Sequence, residues 1–306
     1  MVRSASIQEA AELPGAFRAI AGGLFGADDA AFVAVFRAYL DSSSADEIVT
    51  VGGYVSTIDQ WERLAPDWNA ILEQQGVVET DGYRCLHMKD LTAGRRGFPN
   101  WTNEQSKALF SRLEPLLNTR VCVAVSRSVS TAAFNDAMAV LAVRFPGVQF
   151  QTVLSFTVIQ TLHTIASWCS HRGINGPQMG YFFEAGDPRE TVREITETMN
   201  DVASNPAKAA TYRIAGWGFG SKRLVPLQAA DWLAYEAHLY GKRHVLPQYG
   251  HANVSRDRKG RPRAVRRSFE KLLGNAPEQD VKWLSQRDGV LQVARFNYAL
   301  IERGDA

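Results

Sequence analysis

Residues 33–245 alternate two kinds of hydrophobic spacing. Short runs rich in β-branched and aromatic residues predict strands at 33–40, 48–55, 83–88, 121–125, 179–184 and 211–219. Between them lie segments whose apolar residues recur every three or four positions, as on a helix buried along one face. Trp61, Leu64, Ala65, Trp68, Ile71 and Leu72 mark one such stripe, and Val192, Ile195, Met199 and Val202 mark another. Pro66 predicts a kink or a new turn in the first of these helices.

The punctuation between these runs is specific. Asp41 to Asp46, with three serines, reads as the turn of a hairpin joining the first two strands. Gly52-Gly53 in the second strand predicts a bulge or a close approach of another backbone. Thr57 with Gln60, and Thr102 with Gln105, have the spacing of capping boxes, in which each side chain satisfies a free N–H of the first helical turn. Ser130 is placed to cap a helix over 131–142. Asp187-Pro188-Arg189-Glu190 reads as a helix start with Asp187 as the cap. Further helices are expected at 153–170, 226–240, 264–273 and 288–302.

A leading hairpin followed by alternating helices and strands predicts an α/β fold. It is a mixed β-sheet with flanking helices and a helical C-terminal extension. Residues 1–30 form a lead-in, 31–245 the main domain, and 246–306 a basic segment and closing helices packed on that domain. No linker rich in Pro, Gly or Ser divides the body.

Composition narrows the class. The apolar fraction is 45%, too high for an intrinsically disordered chain. Three widely spaced cysteines (Cys85, Cys122, Cys169) exclude a disulfide scaffold and suit a reducing cytoplasmic setting. No secretory signal is visible. The most apolar run, 153–169, contains Gln160 and His163 and is short for a membrane span, so a buried helix is expected and no membrane association. The reading leaves room for a homo-oligomer.

Charge is unevenly distributed. Residues 251–271 carry eight basic side chains against two acidic ones, or +6, in a chain of net charge +2. The remainder is therefore −4. Arg256, Arg258, Lys259, Arg261 and Arg263 are candidates for contact with a nucleic-acid backbone, the alternative being a solvated loop. Lys222 and Arg223, just ahead of the helix at 226–240, are placed to meet the same backbone. Trp217 and Phe219 nearby are candidates for stacking on bases, with core packing as the alternative.

Three acids are candidates for chemistry by position. Asp41 follows the first strand, Glu184 ends a strand of aromatics, and Asp231 lies inside an apolar helix. A buried carboxylate requires a cation, a proton or donors. A shared metal answers for Asp231, as does a salt bridge or a bond from Gln228. Asp41 has the alternative of turn chemistry, and Glu184 that of pairing with a lysine. Together the three offer hard oxygen ligands suited to Mg²⁺ or Mn²⁺. Two such ions about 4 Å apart activate water and stabilise the leaving oxygen in phosphodiester cleavage. Glu184 is preferred to Asp187 as a ligand, because capping already accounts for Asp187.

At these residues the chain resembles the large bacterial family numbered 3800 among the domains of unknown function. The matching pieces are the strand ending in Asp41, the Val51-Gly52-Gly53-Tyr54-Val55 strand and the Trp61…Trp68 helix. They continue with Leu86-His87 before Asp90 and end in the helix from Leu227 to Tyr235, with its Gln228-x-x-Asp231 pattern. The resemblance covers roughly residues 33–245. It implies a ribonuclease H-like fold and a metal-dependent nuclease site built from Asp41, Glu184 and Asp231. It also implies a role for His87 in phosphate binding or proton movement, the bland alternative being a structural hydrogen-bonder. The sequence departs from the family where Asp-Glu-Ser-Gly is usual and Asp41-Ser42-Ser43-Ser44 stands here. The readings left open are a nuclease short of one acid, a catalytically silent nucleic-acid-binding or assembly module, and a hydrolase for small nucleotides, which would need the basic segment far less.

Overall fold

The computed structural model describes residues 36–45, 47–144, 152–174 and 179–244, together with a strand at 279–284. The lead-in at 1–30, the basic side chains of 251–271 and the helices expected at 264–273 and 288–302 lie outside the described residues.

The strands are β1 (Phe36–Ala45), β2 (Ile48–Thr57), β3 (Val123–Ser130), β4 (Met179–Glu184), β5 (Ile214–Gly220) and β6 (Gln279–Leu284). The helices are α1 (Ile58–Gln74), α2 (Met88–Ala93), α3 (Asn103–Arg120), α4 (Thr131–Arg144), α5 (Val153–His171), α6 (Arg189–Ser204), α7 (Pro206–Thr211) and α8 (Val225–His244). The sheet order is β5-β4-β1-β2-β3-β6. β1, β2 and β3 form an antiparallel meander. β4 runs parallel to β1, β5 parallel to β4, and β6 parallel to β3. The result is an α/β protein with a mixed sheet covered by helices on both faces.

Side-chain alternation along each strand divides the core. Tyr39, Tyr54, Ala124 and Phe182 point to the face covered by α1, α3 and α8. Ala38, Leu40, Val51, Val125, Tyr181 and Phe183 point to the face covered by α5 and α6. Trp61, Trp68 and Trp232 are fully buried in the first layer, where Phe110 stacks on Trp232 at 4.5 Å. α5 is buried along most of its length, which explains its nearly continuous apolar sequence. Among the described residues no helix is long and apolar enough to cross a membrane.

Several expectations change. β1 does not stop at residue 40: it runs to Ala45, and Asp41 pairs with Gly52 inside the hairpin. Register is continuous through Gly52 and Gly53, so no bulge is present there. The close approach is real, because a Cβ on Gly52 would lie 3.2 Å from the Ala234 backbone of α8. Residues 83–88 are not a strand of the sheet: Tyr83 makes an isolated bridge to Thr80, and the amides of Leu86 and Met88 bond to side chains of α8. α1 continues through Pro66. The full capping box forms at Thr102–Gln105, whereas at α1 only Thr57 accepts from the Gln60 amide. Strand β6 was not anticipated.

Candidate metal centre

The site lies where the parallel pairing of β1 with β4 ends, with Asp41 midway along β1 and Glu184 the last residue of β4. Asp41 has the parity of Tyr39, and Glu184 that of Phe182, so both face the α8 layer. Gly52, opposite Asp41, lets α8 settle on the sheet at Ala234, one turn beyond Asp231. This close approach carries Asp231 to the two strand-borne acids. Asp41, Glu184 and Asp231 are all buried.

Lys222 joins them. It sits between β5 and α8, and only 8% of its surface is exposed. Its Nζ lies 2.7 Å from Glu184 Oε2, 2.9 Å from Asp231 Oδ1 and 3.6 Å from Asp41 Oδ2. The expectation that Lys222 meets a phosphate backbone is therefore corrected: its ammonium is turned inward, among buried carboxylates that a buried charge needs as partners. Glu184 does pair with a lysine, the alternative the sequence had offered. Arg223 is exposed, with its guanidinium 5.1 Å from the centre of the Tyr83 ring.

Both Asp231 oxygens have partners: Oδ1 accepts from Lys222, and Oδ2 accepts from the Met88 amide at 2.7 Å. Gln228, one turn earlier, accepts from the Leu86 amide and from Trp68 Nε1, each at 2.9 Å. Its Nε2 donates to the Lys222 carbonyl at 2.8 Å. The Gln-x-x-Asp pattern is thus a clamp. Two side chains on one helical face grip alternate amides of the 86–88 segment and both ends of Lys222.

Asp187 is the residue the sequence reading misplaced. It does not cap α6, whose N-terminal cap position is Pro188. Its Oδ2 instead accepts from the Ser42 hydroxyl at 2.9 Å, and the Ser42 amide donates to Asp41 Oδ1 at 2.8 Å. Asp41, Glu184 and Asp187 each present a carboxylate oxygen, all within 4.8 Å of one another. Gly186 leaves room for Glu184, since a Cβ there would lie 2.8 Å from Glu184 Oε1. Asp231, expected as a ligand, is not one of that group; its two oxygens bond to Lys222 and to the Met88 amide.

Electrostatics follow from burial. Burial pushes the Asp41 carboxyl well above the ordinary range; Lys222 pulls it back, while Asp231, Glu184 and Asp187 push it further up. Asp187 is pushed up to about 6, by burial first and then by Glu184, against the Ser42 bond and Lys222. Burial alone would lower Lys222, but Asp41, Asp231 and Glu184 more than reverse this and raise it above an ordinary lysine. Three carboxylates surround one ammonium, with Asp187 close by, an imbalance of charge that a proton or a further cation would relieve. Three oxygen donors in this arrangement could hold a divalent cation, and their chemistry suits a hard one.

The other candidates fall elsewhere. His87 ends the 86–87 segment before α2, with Nδ1 2.9 Å from Asp90 Oδ2, and is not part of the acid group. That contact is of the kind the hydrogen-bonding alternative expected. Trp217 and Phe219 pack edge to face at 5.9 Å and join the α5–α6 layer, so strand alternation points them away from the acids. The one sequence signal for the inward role of Lys222 is its place between a strand end and the Gln-x-x-Asp helix, whose buried acid needs a cation.

Compared with known proteins, the chain matches no family model and no curated protein. Fold and site by themselves define an α/β protein with a buried acidic cluster where a parallel strand pairing ends, able to take a metal ion.

Proposed function

We propose that this protein is a metal-dependent phosphodiester hydrolase of ribonuclease H-like fold that acts on nucleic acid. The observation that carries the reading is the convergence of Asp41, Glu184 and Asp187 within 4.8 Å where the pairing of β1 with β4 ends, with Asp231 brought alongside by α8. The order β5-β4-β1-β2-β3, an antiparallel meander continued by two parallel strands, supports the same fold reading. Asp41, Glu184 and Asp187 would hold Mg²⁺ or Mn²⁺. Such an ion, when bound, supplies an activated water and neutralises charge on the phosphate. Asp231 holds Lys222 beside the acids, where its ammonium offsets part of their negative charge. The basic side chains of 256–263 are the proposed backbone contacts, independent of base sequence.

A second reading has its own observation. Ser42 stands where the resembling family has an acid, and Lys222 already neutralises part of the cluster. This favours a catalytically silent nucleic-acid-binding or assembly module on the same fold.

Labelled single- and double-stranded DNA, RNA and hybrid, each with Mn²⁺, Mg²⁺ or EDTA, separate the two. The hydrolase reading expects metal-dependent cleavage that falls at least about 100-fold in Asp41→Asn and Asp231→Asn. Cleavage by Asp41→Asn at the wild-type rate would overturn it. Salt-sensitive binding without cleavage across the panel would establish the silent module.

A further inference from the structure

Lys222 has an unusual place for a lysine. Its ammonium is surrounded by carboxylates from three separate elements, β1, β4 and α8, and lies closest to the two acids Glu184 and Asp231. Its backbone is fixed as well as its head, because Gln228 donates to its carbonyl. The side chain is thus held at both ends, and the helix carrying Asp231 supplies both restraints.

The same geometry divides the acids into two sets. Each Asp231 oxygen has a donor of its own, Lys222 or the Met88 amide. Asp41, Glu184 and Asp187 each present an oxygen, and the three are grouped closely enough to share one ion. Asp41 and Glu184 belong to both sets, since each also faces Lys222. Asp41 and Glu184 thus border both the chain's own ammonium and the group of oxygens able to share an ion.

We propose that Lys222 takes the place of the second cation of a two-metal site, so that this protein binds a single divalent ion, held by Asp41, Glu184 and Asp187. The inference rests on the metal-site reading above and goes further by fixing the number of ions and assigning Lys222 as a positioning residue. A two-metal clamp places its ions about 3.5–4 Å apart and needs carboxylates that bridge both. Asp41 and Glu184 bridge here, with an ammonium on one side. An internal ammonium adds no bound water, so the seat it fills orients the acids and carries charge without generating a nucleophile.

The test is Mn²⁺ binding to the full chain by isothermal titration, with electron paramagnetic resonance of the bound ion. Wild type is expected to bind one Mn²⁺ with the six-line signal of an isolated ion. Lys222→Met is expected to bind two, with the broadened signal of a coupled pair, and Lys222→Arg to bind one. Two ions in wild type, or one in both wild type and Lys222→Met, would overturn the inference while leaving the metal site intact. No Mn²⁺ bound by wild type would instead overturn the metal-site reading itself. If Lys222→Met is unfolded without metal, recovery of its circular dichroism on adding Mn²⁺ supports the inference. If it stays unfolded at saturating Mn²⁺, Lys222→Gln replaces it in the titration, and a single ion there overturns the inference.

Discussion

Asp187 shows how one residue's environment changes its chemistry. In sequence it is an ordinary helix-capping aspartate; in the fold it is a mostly buried acid bonded to Ser42, with its pKa raised to about 6. An acid whose folded pKa exceeds its unfolded value lowers stability as pH rises between the two, and has no effect below the unfolded value, where both states are protonated. The metal-free Asp187→Asn protein is therefore expected to melt above wild type at pH 8, with the gain vanishing near pH 3.5. Scanning calorimetry at the two pH values checks this. The sequence positions of Asp41, Glu184 and Asp231, after an expected strand, at a strand end and inside an apolar helix, marked them as candidates for one site, and the fold does bring them around Lys222. The roles of Asp187 and Lys222 were not legible, because capping and surface basicity each explained them locally. The contact of Asp187 with Ser42, 145 residues earlier, and those of Lys222 with Asp41 and Glu184 decided otherwise.

α8 organises the site. Its Gln228 and Asp231, three residues apart, present side chains to one extended segment, and its Ala234 closes on Gly52. The periodicity of α8, and of α1, α3, α5 and α6, was readable because each buries one face or nearly all of itself. The segment 83–88 was misread because its apolar content is strand-like, while its hydrogen bonds go to α8 side chains and not to a neighbouring strand. Gln228→Leu would remove the partner of two buried donors and of the Lys222 carbonyl. Each unsatisfied buried group costs about 1–3 kcal/mol, so a loss of about 3 kcal/mol is expected, measurable as a lower midpoint in urea. Divalent-ion affinity should fall with it, since Lys222 loses one of its two restraints.

Across the protein, acids from β1, the β4–α6 connection and α8 meet although up to 190 positions separate them in sequence. A ligand that binds only the folded state stabilises it in proportion to its saturation. Mn²⁺ at about 100 times its dissociation constant should therefore add about 2.7 kcal/mol and raise the melting temperature by about 5 °C. The rise should disappear in Glu184→Gln, as differential scanning fluorimetry would record. The linear pattern was enough to establish an α/β chain, the spans of most strands and helices, and the acids worth watching, because periodicity and capping depend on neighbours a few residues away. Strand order, the inward turn of Lys222, the capture of Asp187 by Ser42 and the use of Gln-x-x-Asp as a clamp on the 86–88 amides emerged only on folding. Each depends on burial and on partners remote in the chain, and burial is what makes a buried charge seek a partner at all.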